Sequence, residues 1–220
     1  DVMAPDGTVQ RCSHDEHNQL YRYTLGGMGL TGVILRAAIR LQRVDTGWIK
    51  KASLHSYSLE ETIDLFEQHN AATYSVAWID CISTGGNKGR SVIFTGEHVP
   101  LQELSPTERG NTFPQAAKAL FSVPPKVPPL LLNKVSMRLF NRLYGALATT
   151  KYLPILQSWD SFFFPLDRVL NWNRLYGARG FTQFQCVFPI TSAREGLKTL
   201  VDFVTASGEA SFLSVLKKMG

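Results

Sequence analysis

Gly27-Met28-Gly29-Leu30-Thr31-Gly32 runs straight into the apolar segment Val33-Ile34-Leu35-Arg36-Ala37-Ala38-Ile39. No other stretch restricts the fold as much. A G-x-G-x-x-G turn that cradles a dinucleotide follows a strand, opens a helix and is trailed by an acid about 20 residues on. Here the order is reversed. The residues before the glycines, Asp15 to Leu25, read as a helix, the residues after them read as a strand, and the first acid that follows is Asp45. A simple NAD turn does not fit that context. Glycines that enter an apolar strand still require a backbone that bends sharply and lies close to something flat. That neighbour is either another strand or a cofactor.

A chain of 220 residues holds one large domain, or about one and a half ordinary ones. Hydrophobic content of 44 % with 19 % charged residues is that of a soluble globular protein. The net charge of +5 comes without a run of five like charges, so no nucleic-acid partner is implied. Cys12, Cys81 and Cys186 are an odd, widely spaced set with no C-x-x-C, which predicts reduced thiols in a cytoplasmic setting. No apolar run approaches the roughly 18 residues of a spanning helix. The chain opens inside a hairpin, Val2-Met3-Ala4, a turn at Asp6-Gly7, then Thr8-Val9-Gln10. That opening predicts a piece of a longer protein.

A boundary is expected near Val44-Asp45-Thr46-Gly47, dividing residues 1–45 from 46–220. Beyond it, a strand from Trp48 to Ser56 leads to a helix opened by Ser58 with Glu61 three positions on, a capping box, and carrying Leu59, Ile63 and Phe66 at helical spacing. Strands follow over Thr73 to Asp80 and Ser91 to Thr95. Near the other end the pattern recurs. A strand from Phe181 to Phe188 precedes a helix capped by Ser192 with Glu195, whose Leu197, Leu200, Val201 and Val204 share a face, and a strand over Ser211 to Lys217 completes the unit. Two strand–helix–strand units predict an α+β layer, a mostly antiparallel sheet with helices on one face. Between them, Pro100 to Asp160 holds eight of the eleven prolines. Past Pro124-Pro125-Lys126-Val127-Pro128-Pro129, the stretch Leu130 to Leu147 reads as a helix. There Lys134, Arg138 and Arg142 recur beside Leu131, Val135, Leu139 and Leu143. The expectation is that this apolar stripe packs on the domain. The alternative is an interfacial helix that meets a membrane or a lipid.

Few residues suggest chemistry. Alternation in the Phe181 to Phe188 strand puts Gln183 and Gln185 on one face with Phe181 and Val187, opposite a core face of Phe184, Cys186 and Phe188. Paired amides can hydrogen-bond a polyhydroxylated or carbonyl ligand, although a half-solvated strand face has the same pattern. Lys217 shares its face with Leu213 and Val215, and Trp78 with Val76. Tryptophan is a core residue or a wall for flat ligands. Cys12-Ser13-His14-Asp15-Glu16-His17 gathers metal-ligand types with no second cluster to complete a site, so no metal is expected. There is no G-x-S-x-G, P-loop or H-E-x-x-H, and no self-contained catalytic constellation.

Six segments in order resemble one family. They are Gly26 to Ile34, Ser75-Val76-Ala77-Trp78-Ile79-Asp80, Phe162-Phe163-Phe164-Pro165-Leu166-Asp167, Trp172-Asn173-Arg174-Leu175-Tyr176-Gly177, Gly180 to Gln185, and Ala206-Ser207-Gly208 with Ser211-Phe212-Leu213. The set is similar to the decaprenylphosphoryl-β-D-ribose oxidases, FAD-dependent members of the vanillyl-alcohol-oxidase (p-cresol methylhydroxylase) superfamily. Sugar-lactone oxidases such as D-arabinono-1,4-lactone oxidase are relatives. The resemblance implies that residues 1–45 close an FAD-binding domain, with Gly29, Thr31, Gly32, Val33 and Ile34 contacting FAD. It implies that residues 46–220 form a substrate (cap) domain, incomplete at its C-terminus, with Trp78, Phe163, Gln183, Gln185 and Lys217 lining the substrate pocket. Phe163 stands where the family has a tyrosine, Val76 where a serine is usual and Met219 where an aromatic is usual, which implies a drier pocket. The pyrophosphate loops are expected before Asp1, and the catalytic lysine and pocket cysteine after Gly220. The implied activity is oxidation of a sugar, or of a lipid-linked sugar, by hydride transfer to flavin. A short-chain reductase partner and a cytoplasmic, membrane-peripheral location go with it. Rival readings are a sugar-lactone oxidase and a non-catalytic α+β module that binds a lipid or a protein partner.

Overall fold

The computed structural model describes residues 1–116, 118–126, 136, 139, 141, 143, 154–208 and 213–219. The chain divides into two compact units, Asp1–Arg43 and Val44–Gly220.

In the first unit, β1 (Val2–Met3) pairs antiparallel with β2 (Val9–Gln10) on one side and β3 (Val33–Ile34) on the other. The turn between β1 and β2 is local chemistry. Gly7 sits at φ 85° and its N–H reaches the Ala4 carbonyl at 2.9 Å. Asp6 accepts from both the amide and the hydroxyl of Thr8, at 2.9 and 2.7 Å, and these bonds hold its carboxyl below the ordinary range. The expected helix over Asp15 to Leu25 is shorter, α1 (Asn18–Thr24). Its start is displaced because the Ser13 hydroxyl accepts from the amides of Asp15 and Glu16, which makes a turn of those residues. The expected strand to Ile39 stops at Ile34. Beyond it the amides of Leu35 and Arg36 both turn onto the Asp1 carbonyl.

In the second unit, β4 (Trp48–Ser56), α2 (Leu59–Gln68), β5 (Tyr74–Ile79) and β6 (Ser91–His98) form a split β–α–β, because β6 lies between β4 and β5. The outer strands are β8 (Ile155–Ser158) beside β4 and β10 (Val215–Leu216) beside β5, and every pairing in this five-stranded sheet is antiparallel. A smaller parallel pair joins β7 (Phe121–Ser122) to β9 (Val169–Leu170). Short helices α3 (Pro106–Arg109) and α4 (Trp159–Phe163) follow β6 and β8. The long helix α5 (Ala193–Ser207) precedes β10 and ends at Gly208, left-handed at φ 70°.

The fold is the α+β layer expected, with α2 and α5 on one face. Leu59, Ile79, Cys81 and Val201 form one core cluster, with Ile63, Leu197 and Val204 against it. Phe66, Ala77 and Ile93 form a second, with Leu54, Leu65 and Leu216. Ser58 caps α2 through a 3.1 Å bond from the Glu61 amide, but the Glu61 carboxylate reaches past it to the Tyr57 amide at 2.6 Å. The matching cap on α5 does not form. The Ser192 hydroxyl bonds instead to the Pro189 carbonyl at 3.3 Å.

Two further expectations fail in this unit. Residues 181–189 contain no regular strand, Phe184 is 77 % exposed, and Cys186 is exposed as well. A strand needs a neighbouring edge to take its amides and carbonyls, and no strand among the described residues pairs with this segment. The apolar stripe of the expected 130–147 helix fails too. Leu131, Val135, Lys134, Arg138 and Arg142 lie outside the described residues. Ser136, Leu139, Asn141 and Leu143 are helical, but Leu139 and Leu143 are exposed while Asn141 is buried. A buried carboxylate, described below, claims the asparagine.

Candidate functional site

In the first unit the glycine string is two tight turns in succession. The Leu30 amide bonds to the Gly27 carbonyl at 3.0 Å and the Gly32 amide to the Gly29 carbonyl at 3.4 Å. Gly26, Met28, Gly29 and Gly32 all have positive φ. The two functional-looking glycines have different reasons to be glycine. At Gly32, φ is 135° and a Cβ would overlap the Met3 carbonyl oxygen, so the flat neighbour there is strand β1. At Gly29, φ is 78° and nothing lies within 4 Å of a Cβ position. Its open side faces a cleft of 330 Å³ lined by Gly29, Leu30, Gly32 and Val33 from the turn and by Met3 to Pro5 and Gly7 from the hairpin. Thr31 and Ile34 are outside that lining. The Thr31 hydroxyl is 2.9 Å from that of Thr24, which itself bonds to the Leu20 carbonyl, and Ile34 is half-exposed on β3 opposite Val2. The cleft is small for a whole dinucleotide.

In the second unit three of the candidate residues, Trp78, Phe163 and Lys217, lie on the sheet face opposite α2 and α5. The register places Trp78 across from Val92 on one side and Val215 on the other, so all three share that face. Trp78 is 7 % exposed. Tyr74 and Val76 alternate onto the same face. Phe163, at the end of α4, meets the Tyr74 ring edge-on at 4.8 Å and Phe162 at 5.0 Å. Phe162 in turn fills the space where Gly96 would carry a side chain. Lys217 follows β10 two residues after Val215 and is exposed, as is Val215. Trp78, Phe163 and Lys217 are therefore on one side of one sheet. Gln183 and Gln185 are exposed in the irregular 181–189 segment, whose start is anchored by Phe181 against Tyr176 at 4.4 Å and Trp172 at 5.5 Å. The structure does not place the glutamines on a sheet face.

Three groups on this face were not singled out from the sequence. Lys51 holds its ammonium 3.9 Å above the Phe94 ring. His55 has a buried Nε2 with no hydrogen-bond partner among the described residues. Asp80, with no exposed surface, continues the face one step past Trp78. Its Oδ1 accepts from the amides of Ile82 and Ser83 and from Asn141 Nδ2, and its Oδ2 accepts from the Ser83 hydroxyl and Arg90 Nε, all between 2.8 and 3.2 Å. Burial pushes this carboxyl up, but the bonds from Ile82, Ser83 and Asn141 pull harder and hold it below the ordinary aspartate value. Only the isoleucine-to-aspartate switch at the end of an apolar strand hinted at it. The partners are local at 82 and 83 but distant at 90 and 141. Among the described residues no three histidine, cysteine, aspartate or glutamate side chains converge as metal ligands, and no helix is long and apolar enough to cross a membrane. Cys81 belongs to the core, and burial raises its thiol pKa.

Known proteins carry this sequence pattern further. No family model matches the chain. Over 205 residues, 92 % of its length, it is 35 % identical to the decaprenylphosphoryl-beta-D-ribose oxidase of Mycolicibacterium smegmatis. The resemblance read from the motifs holds. Over 137 residues, 62 % of its length, the chain is also 31 % identical to a Streptomyces coelicolor protein described as an uncharacterized protein in mprA 5'region. The aligned stretches span 44 % and 36 % of those two relatives, less than half of either.

Proposed function

We propose that this chain supplies one edge of the cofactor site and the substrate face of an FAD-dependent oxidoreductase that acts on a sugar or lipid-linked sugar. The likeness to an oxidase of a decaprenylphosphoryl ribose over 92 % of the chain carries the reading. The turn fits the group. Gly29 leaves its side of the cleft open, and the backbone of Gly29, Gly32 and Val33, which line it, is the part a flat cofactor would lie along, with Thr31 and Ile34 adjoining them in sequence. Thr31 contributes there through its backbone, because its hydroxyl is engaged by Thr24. Bound FAD supplies the acceptor for a hydride leaving the sugar carbon.

The remaining work falls to the chain's own side chains. Trp78 walls the pocket from the sheet, and Phe163 and Val76 keep it dry. Gln183 and Gln185 orient sugar hydroxyls, and Lys217 offers its charge to a phosphate. Residues 1–45 then close the cofactor domain and 46–220 belong to the substrate domain. A short-chain reductase partner and a cytoplasmic, membrane-peripheral location complete the proposal. The test is an absorbance scan of the full-length parent from roughly 350 to 500 nm, the flavin range, before and after anaerobic addition of candidate sugars. Flavin bands that bleach with a sugar are expected. A colourless protein that takes up no FAD overturns the reading. The 220-residue chain alone is expected to bind little FAD and to turn over no substrate, and stoichiometric yellow colour would refute that.

A further inference from the structure

Trp78, Val76 and Phe163 give the proposed pocket apolar walls, whereas a sugar needs partners for its hydroxyls. Tyr74 opens β5 on the same face, two residues before Val76. It is half-buried, and its ring is framed by other rings. Phe163 meets it at 4.8 Å and 88°, His98 at 5.7 Å and 74°, and Phe162 at 6.2 Å. The frame is itself anchored. His98 Nδ1 is 2.9 Å from the Thr46 carbonyl oxygen. The register sets Tyr74 opposite Gly96, whose missing side chain leaves room for Phe162. The Tyr74 ring is held in place, yet its hydroxyl takes part in no hydrogen bond among the described residues. Tyrosine hydroxyls taken out of water ordinarily find a partner, and a ring already fixed loses little entropy when a ligand supplies one.

We propose that Tyr74 is a substrate-binding residue, whose hydroxyl hydrogen-bonds a hydroxyl of the sugar while Phe163 and His98 hold the phenol ring. A phenol both donates and accepts, as a sugar hydroxyl does, so each group can satisfy the other. A phosphate only accepts, and the charge of Lys217 meets it better. The inference rests on the proposed sugar-oxidising function and deepens it. It gives the apolar wall of that site one group that selects for a hydroxylated ligand.

The experiment uses the full-length parent loaded with FAD, and a short-chain prenylphosphoryl-β-D-ribose as the probe. Tyr74→Phe removes the hydroxyl and keeps the ring. It should raise KM by roughly three- to tenfold, the weight of one hydrogen bond. The change in kcat should stay within about twofold, as when a contact made equally in ground and transition states is lost. The unfolding midpoint should not move, because no described residue loses a bond. Tyr57→Phe, at a position 65 % exposed, should leave KM at the parental value. Probe analogues that each lack one ribose hydroxyl, used as competitive inhibitors, separate a contact from packing. One of them should bind parent and variant alike, because its half of the pair is already gone, while the others should lose affinity with the variant. If Tyr74→Phe lowers the midpoint, this inhibitor series decides the matter. A parental KM in Tyr74→Phe, an equal loss in Tyr57→Phe, or the same loss of affinity for every analogue would each overturn the contact and leave the oxidoreductase reading standing. A parent without flavin, or one whose flavin the probe does not bleach, would overturn that reading and the contact with it.

Discussion

Replacing Asp80 with asparagine should destabilise the second unit by about 3 kcal/mol, the lower end of what breaking a buried ion pair costs. The carboxylate is fully buried and accepts five hydrogen bonds among the described residues. An asparagine oxygen can keep the three bonds that Oδ1 takes from Ile82, Ser83 and Asn141. Its amide nitrogen then faces Arg90 Nε, donor against donor, where Oδ2 stood 2.9 Å away. The Ser83 hydroxyl can rotate to accept, but the guanidinium cannot. Arg90 is left with its side chain only 25 % exposed, its counter-ion gone and little water to replace it. For a chain of this size the loss corresponds to a fall in Tm of roughly 6–12 °C. Urea unfolding followed by tryptophan fluorescence measures it directly, since Trp48, Trp78, Trp159 and Trp172 are all in this unit. The acid limb supplies a second check. The folded-state value of Asp80 lies below the ordinary 3.8, so the unfolded chain takes up the proton first as pH falls. The stabilising share of the carboxylate is complete above 3.8 and is lost as pH drops through the folded value. The difference between parent and variant should therefore be full near neutral pH and shrink below 3.8. A variant within about 1 kcal/mol of the parent at neutral pH, the scale of one ordinary hydrogen bond, would refute the account of Asp80 as the buried hub of these five hydrogen bonds.

Gly32→Ala should unpair β3 from β1, because the new methyl would overlap the Met3 carbonyl at a φ of 135°. Amide exchange in the first unit should accelerate, while the second unit keeps its protection. Thr62→Val should cost about 1–3 kcal/mol in the same urea assay, since the Thr62 hydroxyl lies 2.8 Å from those of Ser56 and Ser91 and all three residues are buried. By contrast, Arg194→Ala breaks an exposed pair with Asp64 and should leave the unfolding midpoint within error of the parent.

Much of the fold was legible in short-range patterns. The strand over Trp48 to Ser56, the Ser58 cap, the Asp6-Gly7 turn and the amphipathic spacing of α2 and α5 are set by neighbours a few residues away, and the structure has all of them. From the same patterns came the face that Trp78 shares with Val76. What they could not supply is any interaction whose partner is distant in sequence. Phe181 to Phe188 alternates like a strand yet has no edge to pair with among the described residues. Ser192 looks like a cap, but its hydroxyl is taken by Pro189. The opening ambiguity at the glycines needed tertiary structure as well, since only the packing shows β1 against Gly32 and open space beside Gly29. The 130–147 stretch is the sharpest case. Periodicity alone turns Leu139 and Leu143 inward, because apolar burial is the default driving force. Asn141 Nδ2 instead donates to a buried carboxylate 61 residues away, and the asparagine lies inside. Periodicity decides what a segment can form, whereas the direction it faces is settled by the partners that tertiary structure brings to it from distant parts of the chain.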